Sequence, residues 1–372
     1  MDNLNHDRNT PSLNINTSSS TNGTMAPWPY QRPAQARRKR IIICCDGTWQ
    51  TAVSGTRNMP SNVVRLARSI ALAGTDADGN DWQQVVHYDA GVGTGAVDEL
   101  EKVFEGGTGA GIIVNIIEAY NFIVNNYCPG DEIFCFGFSR GAFTARAVAG
   151  LVNDLGVIKP QCMHLFPALF HHYKMNTAKH DFRRTREYFC FVKGFSMSVD
   201  LDGIGAVTNE GRGELTFGEE SRVVQLIGCF DTVGSLGIGD VQWINNGWTR
   251  QQYEWMNVKL SPYTRHAFHA LALDERRQAF LPTLWYIPSK DVVEDEKKAF
   301  RYRAEQWQID PNTLRQHPKI KEEYAQWLTE VEDREEAQRR AYTPDLVQMW
   351  FTGCHINIGG GYEDIYYGQG GE

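Results

Sequence analysis

A serine between two glycines is the first candidate for chemistry in this chain. Residues 137–141 read G-F-S-R-G, after an apolar run at 133–136 and before an alanine-rich segment that favours a helix. A serine on a sharp strand-to-helix turn has a strained backbone, and glycines two residues away on either side let strand and helix approach. The pattern predicts Ser139 as a nucleophile, with Gly137 and Gly141 shaping the turn. Because the pattern alone is weak, a glycine turn with an idle serine is the alternative.

An aspartate and a histidine follow two later strand-like runs. Asp231 comes after residues 223–230 (VVQLIGCF), and His355 comes after residues 347–354 (VQMWFTGC), at the start of a glycine-rich loop. A serine, a histidine that takes its proton and an acid that orients the histidine form a nucleophilic triad. The order Ser139, Asp231, His355 is the order found in α/β hydrolases. For Asp231 the alternative is a cap on the following turn.

The first apolar run, residues 41–45, predicts a strand covered on both faces and ends in Asp46, Gly47 and Thr48. Ligands of parallel α/β sheets bind beyond the carboxyl ends of the strands, so these three residues are predicted at the active edge. The backbone N–H of Gly47 or Thr48 is expected to join that of Arg140 in an oxyanion hole. Asp46 is expected to support the site from behind. An ordinary Asp-Gly turn is the alternative.

Periodicity predicts the elements that must position these residues. Further strands are predicted at 85–88 and 284–287, and helices over 62–71, 112–126 and 262–280. The last helix would place His269 and Leu273 on one face, with His269 either a core histidine or a supporting residue of the site. Together the elements predict an α/β fold, with a mostly parallel central sheet flanked by helices.

Three stretches differ from this core. Residues 1–40 form a polar tail, predicted to be disordered, without the apolar segment of a secretory signal. Residues 160–222 are rich in aromatic side chains and are predicted to form a cap over the active edge. Residues 290–341 are dominated by charge at helical spacing, which predicts helices lying on the surface of the 41–372 domain.

Composition excludes several classes of protein. The net charge of −8, from 45 acidic and 37 basic residues, argues against binding nucleic acid by general electrostatics. No apolar run is long enough to cross a bilayer, and the eight cysteines show no C-x-x-C spacing. We therefore expect a chain of a reducing, cytoplasmic compartment. The glycine clusters at 91–95 and 106–111 do not match a dinucleotide fingerprint, and no metal or other cofactor is predicted.

Six motifs then occur in an order typical of one family. They are CCDGTW (44–49), GVGTG (91–95), GDEIFCFGFSRGAFTARAVAGLV (130–152), FDTVGSLG (230–237), HALALDERRQAFLPTLW (269–285) and WFTGCHINIGGGY (350–362). Over residues 40–368 the chain resembles the "domain of unknown function 2235" family of predicted α/β hydrolases. The catalytic domain of bacterial type VI secretion phospholipase effectors is related to that family.

The resemblance implies an α/β-hydrolase fold with its nucleophile in GFSRGA, which is Ser139 here, and it supports Asp231 and His355 as partners. Members continue beyond GGGY with a further helix, whereas this sequence ends at Glu372. Without that helix, apolar surface is expected to be uncovered or the His355 loop less firmly held.

The sequence therefore predicts a hydrolase of carboxylic esters that works through an acyl-enzyme. An aromatic cap would suit an apolar acyl chain, so the expected substrate is a lipid, phospholipid-like or other small hydrophobic ester. Transient contact with a membrane surface is compatible with this prediction. A non-catalytic binding protein that keeps the hydrolase scaffold is the alternative.

Overall fold

The computed structural model describes residues 37–47, 60–91, 110–176, 181–193, 215–233, 256–277, 280–309 and 311–361. These residues build one sheet in the order β2-β3-β1-β4-β5-β6-β7, in which every pairing is parallel except that of β2 with β3. The strands are β1 (Arg38–Cys45), β2 (Ala73–Thr75), β3 (Asp81–Asp89), β4 (Glu132–Phe138), β5 (Val224–Phe230), β6 (Thr264–Ala272) and β7 (Asp345–Phe351).

Helices connect and cover these strands, so the fold is of the predicted α/β class. They are α1 (Asn62–Ser69), α2 (Ala110–Asn126), α3 (Arg140–Leu155), α4 (Phe166–Met175), α5 (Arg186–Lys193), α6 (Lys290–Glu305), α7 (Pro311–Gln316), α8 (Ile320–Ala341) and α9 (His355–Gly359). Short 3-10 helices occupy Pro160–Leu165, Phe182–Arg184 and Glu219–Arg222. Among the described helices, none combines the length and apolar character needed to cross a membrane.

The second half of β1, residues 41–45, is apolar and buried because helices lie on both of its faces. Ile41 and Ile43 pack in the main core with residues of α2 and α3, whereas Ile42 and Cys44 pack with Val63 of α1 on the opposite face. Each fully buried isoleucine contributes about 1.5–3 kcal/mol relative to an exposed one. This burial fixes the carboxyl end of β1, and with it Asp46, at the edge of the sheet where the triad lies.

The start of β1 corrects one predicted boundary. Residues 1–36 of the predicted tail lie outside the described residues, but Arg38 to Arg40 already belong to β1. Arg40 pairs with Glu132 of β4 in register, and their side chains form an ion pair of 2.9 Å. The basic run therefore starts the sheet instead of preceding it.

The predicted helix over 262–280 is wrong. Residues 264–272 form β6, paired in parallel register with β5 on one side and β7 on the other. Sheet pairing on both edges overrides the helix propensity of the alanines and leucines in this stretch. As a result, His269 is buried while Leu273 is exposed, and the two do not share a helical face.

The predicted strand at 284–287 is wrong as well. These residues form no strand, and the segment crosses the face of β7. The backbone of Trp285 exchanges two hydrogen bonds with the side chain of Gln348, at 2.9 and 3.1 Å. The backbone of Trp285 thus pairs with a side-chain amide of β7.

The described part of the 160–222 segment does not lie over the active edge as predicted. Arg222 donates to the carbonyl of Asp154, at the far end of α3 from Ser139, at 2.6 Å. Arg183 donates to the hydroxyl of Tyr263, just before β6, at 2.7 Å. The aromatic side chains of α4 and α5 cover the apolar ends of α2 and α3, so these residues pack at the amino edge of the sheet.

The charged 290–341 segment is helical and is fastened to the same amino edge. Phe300, Tyr324 and Leu328 pack with Phe189 in a small apolar cluster. The hydroxyl of Tyr324 donates to the carbonyl of Arg184 at 2.6 Å, and buried charges join α8 to the same stretch. Most of the remaining charged side chains of α6 and α8 point to solvent.

Strand β7 forms an open edge of the sheet within the described residues. Its apolar side chains are unusually exposed, with fractions of 36–54% for Val347, Met349, Trp350 and Phe351. Strands of parallel sheets are ordinarily covered on both faces. Here one end of the sheet carries the catalytic histidine candidate while its last strand remains largely uncovered.

Candidate active site

Ser139 stands at the junction of β4 and α3 with a strained backbone. Its φ of 59° and ψ of −123° lie in a region where residues other than glycine are rare. A Cβ on Gly137 would meet the backbone of Gly141 and Ala142, and a Cβ on Gly141 would meet the carbonyls of Cys45 and Asp46. At both glycines a Cβ would clash with neighbouring backbone, so the close approach at this turn requires glycine.

His355 is the first residue of α9, which follows β7. Its Nε2 lies 2.8 Å from Ser139 Oγ, and the ring is buried. The rings of Phe138 and Phe280 contact it, each with a centroid separation of 4.8 Å. The backbone N–H of His355 donates to Glu275 Oε2 at 3.2 Å, so both its ring and its backbone are held.

Asp231 follows the last residue of β5 and completes a line of hydrogen bonds. Its Oδ2 lies 2.7 Å from His355 Nδ1, and its Oδ1 accepts from the backbone N–H of Ala272 at 3.2 Å. Its φ of 42° is positive, and among the described residues only Ser139 and Asp231 show this without being glycine. The structure therefore brings the three predicted triad residues into direct contact, two of them on strained turns.

His269 supports the turn that carries Asp231. Its Nε2 accepts from the backbone N–H of Thr232 at 3.0 Å, and its Nδ1 faces Gln348 Oε1 at 3.4 Å. Burial, reinforced by the positive charge of Arg146, lowers the pKa of His269 from 6.5 to about 4. Since both ring nitrogens face other groups, His269 is not placed as the base toward Ser139.

Asp46 ties the end of β1 to two neighbouring elements. Its Oδ2 accepts from the hydroxyls of Ser61, at 2.5 Å, and Tyr88, at 2.8 Å. Its Oδ1 accepts from the N–H of Gly47 at 2.7 Å. Burial raises the pKa of Asp46, and these hydrogen bonds oppose that rise. Asp46 therefore ties the end of β1 to the start of α1 and to β3, and its supporting role in the site stays a prediction.

The three residues predicted to donate to the oxyanion differ in the state of their backbone N–H groups and in whether the structure describes them. Arg140 is the first residue of α3, so its backbone N–H has no acceptor within the helix. The N–H of Gly47 is engaged by the Asp46 carboxylate, and a Cβ there would meet the ring of Phe138 at 2.5 Å. Thr48 lies outside the described residues.

Sequence reasoning missed the residues that hold the His355 loop. Asn62 donates through Nδ2 to the carbonyl of Ile358 at 2.8 Å, and Ser61 forms an isolated bridge with Gly360. A Cβ on Gly359 would meet the ring of Phe138. The glycine run after His355 was a usable signal for this close approach, whereas nothing local to Asn62 indicated its partner.

A family model matches most of the chain. The model is described as "T6SS, Phospholipase effector Tle1-like, catalytic domain" and matches residues 39–367. The chain belongs to this family. The resemblance to phospholipase effectors seen in the sequence is thereby confirmed.

Individual relatives of this Tle1-like domain are distant. The uncharacterized protein YEL023C of Saccharomyces cerevisiae is 25% identical over 261 residues, which is 65% of this chain and 32% of that protein. The Tle1 effector bound to the VgrG spike of the type 6 secretion system is 17% identical over 92% of this chain and 56% of its own, with a TM-score of 0.40.

An uncharacterized Pseudomonas aeruginosa protein is 15% identical over 88% of this chain and 42% of its own, with a TM-score of 0.37. The chain thus spans about a third to just over half of these relatives.

A concave surface of this domain lies away from the triad residues. A cleft of about 500 Å³ lies between α4–α5 and the 290–341 helices, with His172, Arg186, Trp307 and Tyr324 among its lining residues. No triad residue lines it. In the part of the chain that the structure describes, no group of three or more His, Cys, Asp or Glu side chains is placed to hold a metal ion.

Proposed function

We propose that this chain hydrolyses carboxylic esters, with a lipid or phospholipid-like ester as substrate, through Ser139, His355 and Asp231. One observation carries the proposal. A continuous line of hydrogen bonds runs from Ser139 Oγ to His355 Nε2, at 2.8 Å, and from His355 Nδ1 to Asp231 Oδ2, at 2.7 Å. A serine held at positive φ, exposing its hydroxyl to an imidazole, is the arrangement that nucleophilic ester cleavage requires.

In the first half-reaction Ser139 Oγ bonds to the ester carbonyl carbon as His355 Nε2 takes the hydroxyl proton. Asp231 accepts a hydrogen bond from the Nδ1–H group of His355 and stabilises the resulting imidazolium. Collapse of the tetrahedral intermediate breaks the ester C–O bond, and His355 returns the proton to the departing alcohol. Water then attacks the acyl-enzyme with the same base, which releases the acid and restores Ser139.

The oxyanion is proposed to lie at the amino end of α3. The N–H of Arg140 is free of any helical acceptor, and the positive end of the helix dipole favours the developing charge. Loss of one such donor typically costs about 3 kcal/mol of transition-state stabilisation. Asp46 engages the N–H of Gly47, and the second donor is proposed to be Gly47 or Thr48.

Two features favour a lipid ester. The matching family is described as one of phospholipase effectors. Near the histidine, the rings of Phe138 and Phe280 form an apolar wall against His355. The aromatic segment 160–222 is not proposed as an acyl-binding cap. Its described residues pack near the end of α3 that is far from Ser139.

A fluorophosphonate probe tests the nucleophile. Wild type is expected to be labelled at Ser139, and Ser139→Ala is expected to lose labelling and ester turnover while remaining folded. Ser69→Ala is the matched control, because Ser69 is an exposed helical serine that bonds only the carbonyl of Arg65 among its described contacts. Folded wild type that takes up no probe would contradict the proposal and favour a non-catalytic binding protein.

The substrate class needs a separate measurement. A panel of p-nitrophenyl esters of increasing acyl length, run beside phospholipid vesicles, should show kcat/KM rising with acyl length. Esterase activity confined to short acyl chains, with no release of fatty acid from phospholipid, would contradict the lipid part of the proposal and leave the triad in place.

A further inference from the structure

Thr232, the residue that follows Asp231, is held through both of its backbone groups. The N–H of Thr232 donates to His269 Nε2 at 3.0 Å, and its carbonyl accepts from the N–H of Thr283 at 2.9 Å. Asp231 itself donates its N–H to the carbonyl of Ala270 at 2.7 Å. A strained residue costs about 1–3 kcal/mol and persists only where its surroundings over-determine it. Strand β6 provides that constraint here, mostly through backbone and at one point through a side chain.

That side chain must be in one particular protonation state. To accept from Thr232, Nε2 of His269 must lack a proton, so Nδ1 carries it and faces Gln348 Oε1 at 3.4 Å. Gln348 is itself oriented by Trp285, whose N–H donates to Oε1 and whose carbonyl accepts from Nε2. The amide therefore presents oxygen, and not nitrogen, to the imidazole.

The surroundings of His269 keep it neutral. Its side chain is 2% exposed, and the ring of Trp285 contacts it edge-on at 5.4 Å between centroids. Among the charged groups facing it, Arg146 of α3 disfavours the imidazolium and Asp231 after β5 favours it. Burial and Arg146 dominate and lower the pKa of His269 to about 4, so the ring is neutral at neutral pH.

We propose that His269 is a positioning residue of the active site. As a neutral acceptor it fixes the Thr232 peptide, and thereby holds Asp231 in the strained conformation that points Oδ2 at His355 Nδ1. This inference rests on the proposed function, because it assigns His269 a role through Asp231 and not through contact with substrate.

Two substitutions at this site separate positioning from simple packing. His269→Leu keeps an apolar side chain but removes the acceptor, and leaves the Thr232 N–H buried without a partner. His269→Gln offers an amide oxygen that can accept the same N–H. For Leu we expect kcat to fall on the order of 10- to 100-fold with little change in KM. For Gln we expect most of that loss to be restored.

The pH profile provides a readout that a packing role would not move. The acidic limb of kcat/KM reports the pKa of the catalytic imidazole in the free enzyme. If Asp231 turns away from His355, the imidazolium loses stabilisation, and the limb moves to lower pH in His269→Leu but not in His269→Gln. A loss in both variants that matches only their unfolded fraction, with the limb unmoved, would overturn the inference.

Controls come from two other histidines. His266 lies on the same strand but faces Asp345 and Tyr342, and His172 is buried far from the triad. His266→Gln and His172→Leu should leave the acidic limb in place. If wild type is not labelled at Ser139, the proposed function fails and the inference with it. If wild type is labelled but His269→Leu keeps the wild-type profile, only the inference fails.

A spectroscopic measurement covers the case in which His269→Leu does not fold. In wild type with 15N-labelled imidazoles, the His269 resonances should show a proton on Nδ1 and none on Nε2 at neutral pH. Gln348→Met removes the acceptor for that proton, and should weaken the preference and reduce kcat in the same direction. A wild-type spectrum with the proton on Nε2 would overturn the proposal without any activity measurement.

Discussion

The turns after β4 and β5 make an instructive pair. Phe138 and Phe230, the last residues of these neighbouring strands, are in register, and the N–H of Ser139 donates to the carbonyl of Phe230 at 3.1 Å. Each turn then places a non-glycine residue at positive φ. The Ser139 turn is shaped by its own glycines, whereas the Asp231 turn is held by β6. A positive φ is thus maintained once by local sequence and once by a neighbouring strand.

The largest expected effect comes from changing the carboxylate of Asp231, which faces His355. Asp231→Asn should lower kcat about 10⁴-fold, because the amide no longer stabilises the imidazolium or its correct tautomer. The fold should persist, so the measurement is ester turnover beside a thermal midpoint. Asp345→Asn, at an exposed carboxylate facing His266, is the control. A loss smaller than tenfold would mean that Asp231 shapes the turn without serving His355.

A steric change tests the Ser139 turn. In Gly141→Ala the new methyl group would meet the carbonyls of Cys45 and Asp46. Overpacking against backbone should cost about 1–3 kcal/mol of unfolding free energy and displace Ser139. Gly74→Ala is matched, since a Cβ there meets nothing within 4 Å. Chemical denaturation of both variants decides the matter, and equal stability would show that the elbow does not need its glycines.

Acid should weaken the turn held by β6 more than the turn shaped by glycines. The pKa of His269 falls from 6.5 to about 4 on folding, so the neutral ring is favoured in the folded chain. Its contribution to stability is complete above about pH 6.5 and is lost as pH falls through about 4. His269→Gln removes this titration, so its unfolding free energy should fall less steeply than that of wild type across this range. Parallel curves for the two proteins would contradict the assignment.

The smallest expected effect concerns the turn after β1. This turn is held by a bond to the next residue, Gly47, and by bonds to the more distant Ser61 and Tyr88. Ser61 caps α1 by accepting from the N–H of Val64 at 3.1 Å and also donates to Asp46. Ser61→Ala should cost about 1 kcal/mol of unfolding free energy and slightly reduce turnover. Ser289→Ala removes the cap of α6 and should leave turnover unchanged. Identical activity in both variants would place Asp46 outside the working site.

This contrast explains what the sequence could reveal. Ser139 is recognisable in the sequence because the glycines that its strained turn requires lie two residues away on either side. Asp231 and His355 were found because each follows an apolar run that ends at the sheet edge. The β6 segment was misread, since T-R-H-A-F-H-A-L-A carries helix-favouring residues and its strand character comes from pairing with β5 and β7.

The 160–222 segment was misplaced for a related reason. Its aromatic content correctly indicates burial, but composition does not say against which end of the sheet the rings pack. That choice depends on contacts such as Arg222 with the end of α3. The role of His269 was left between two alternatives because its partner, the Thr232 N–H, is a backbone group that no side-chain pattern announces.

Within the residues that the structure describes, the β7 edge is uncovered, and this has a practical consequence for work with this chain. Residues 346–351 carry no charge and no proline, the two features with which natural sheets discourage unwanted strand addition. We therefore expect the purified chain to associate edge to edge as its concentration rises. His355 lies only four residues after the end of β7. We therefore expect such association to change the specific activity measured across a dilution series.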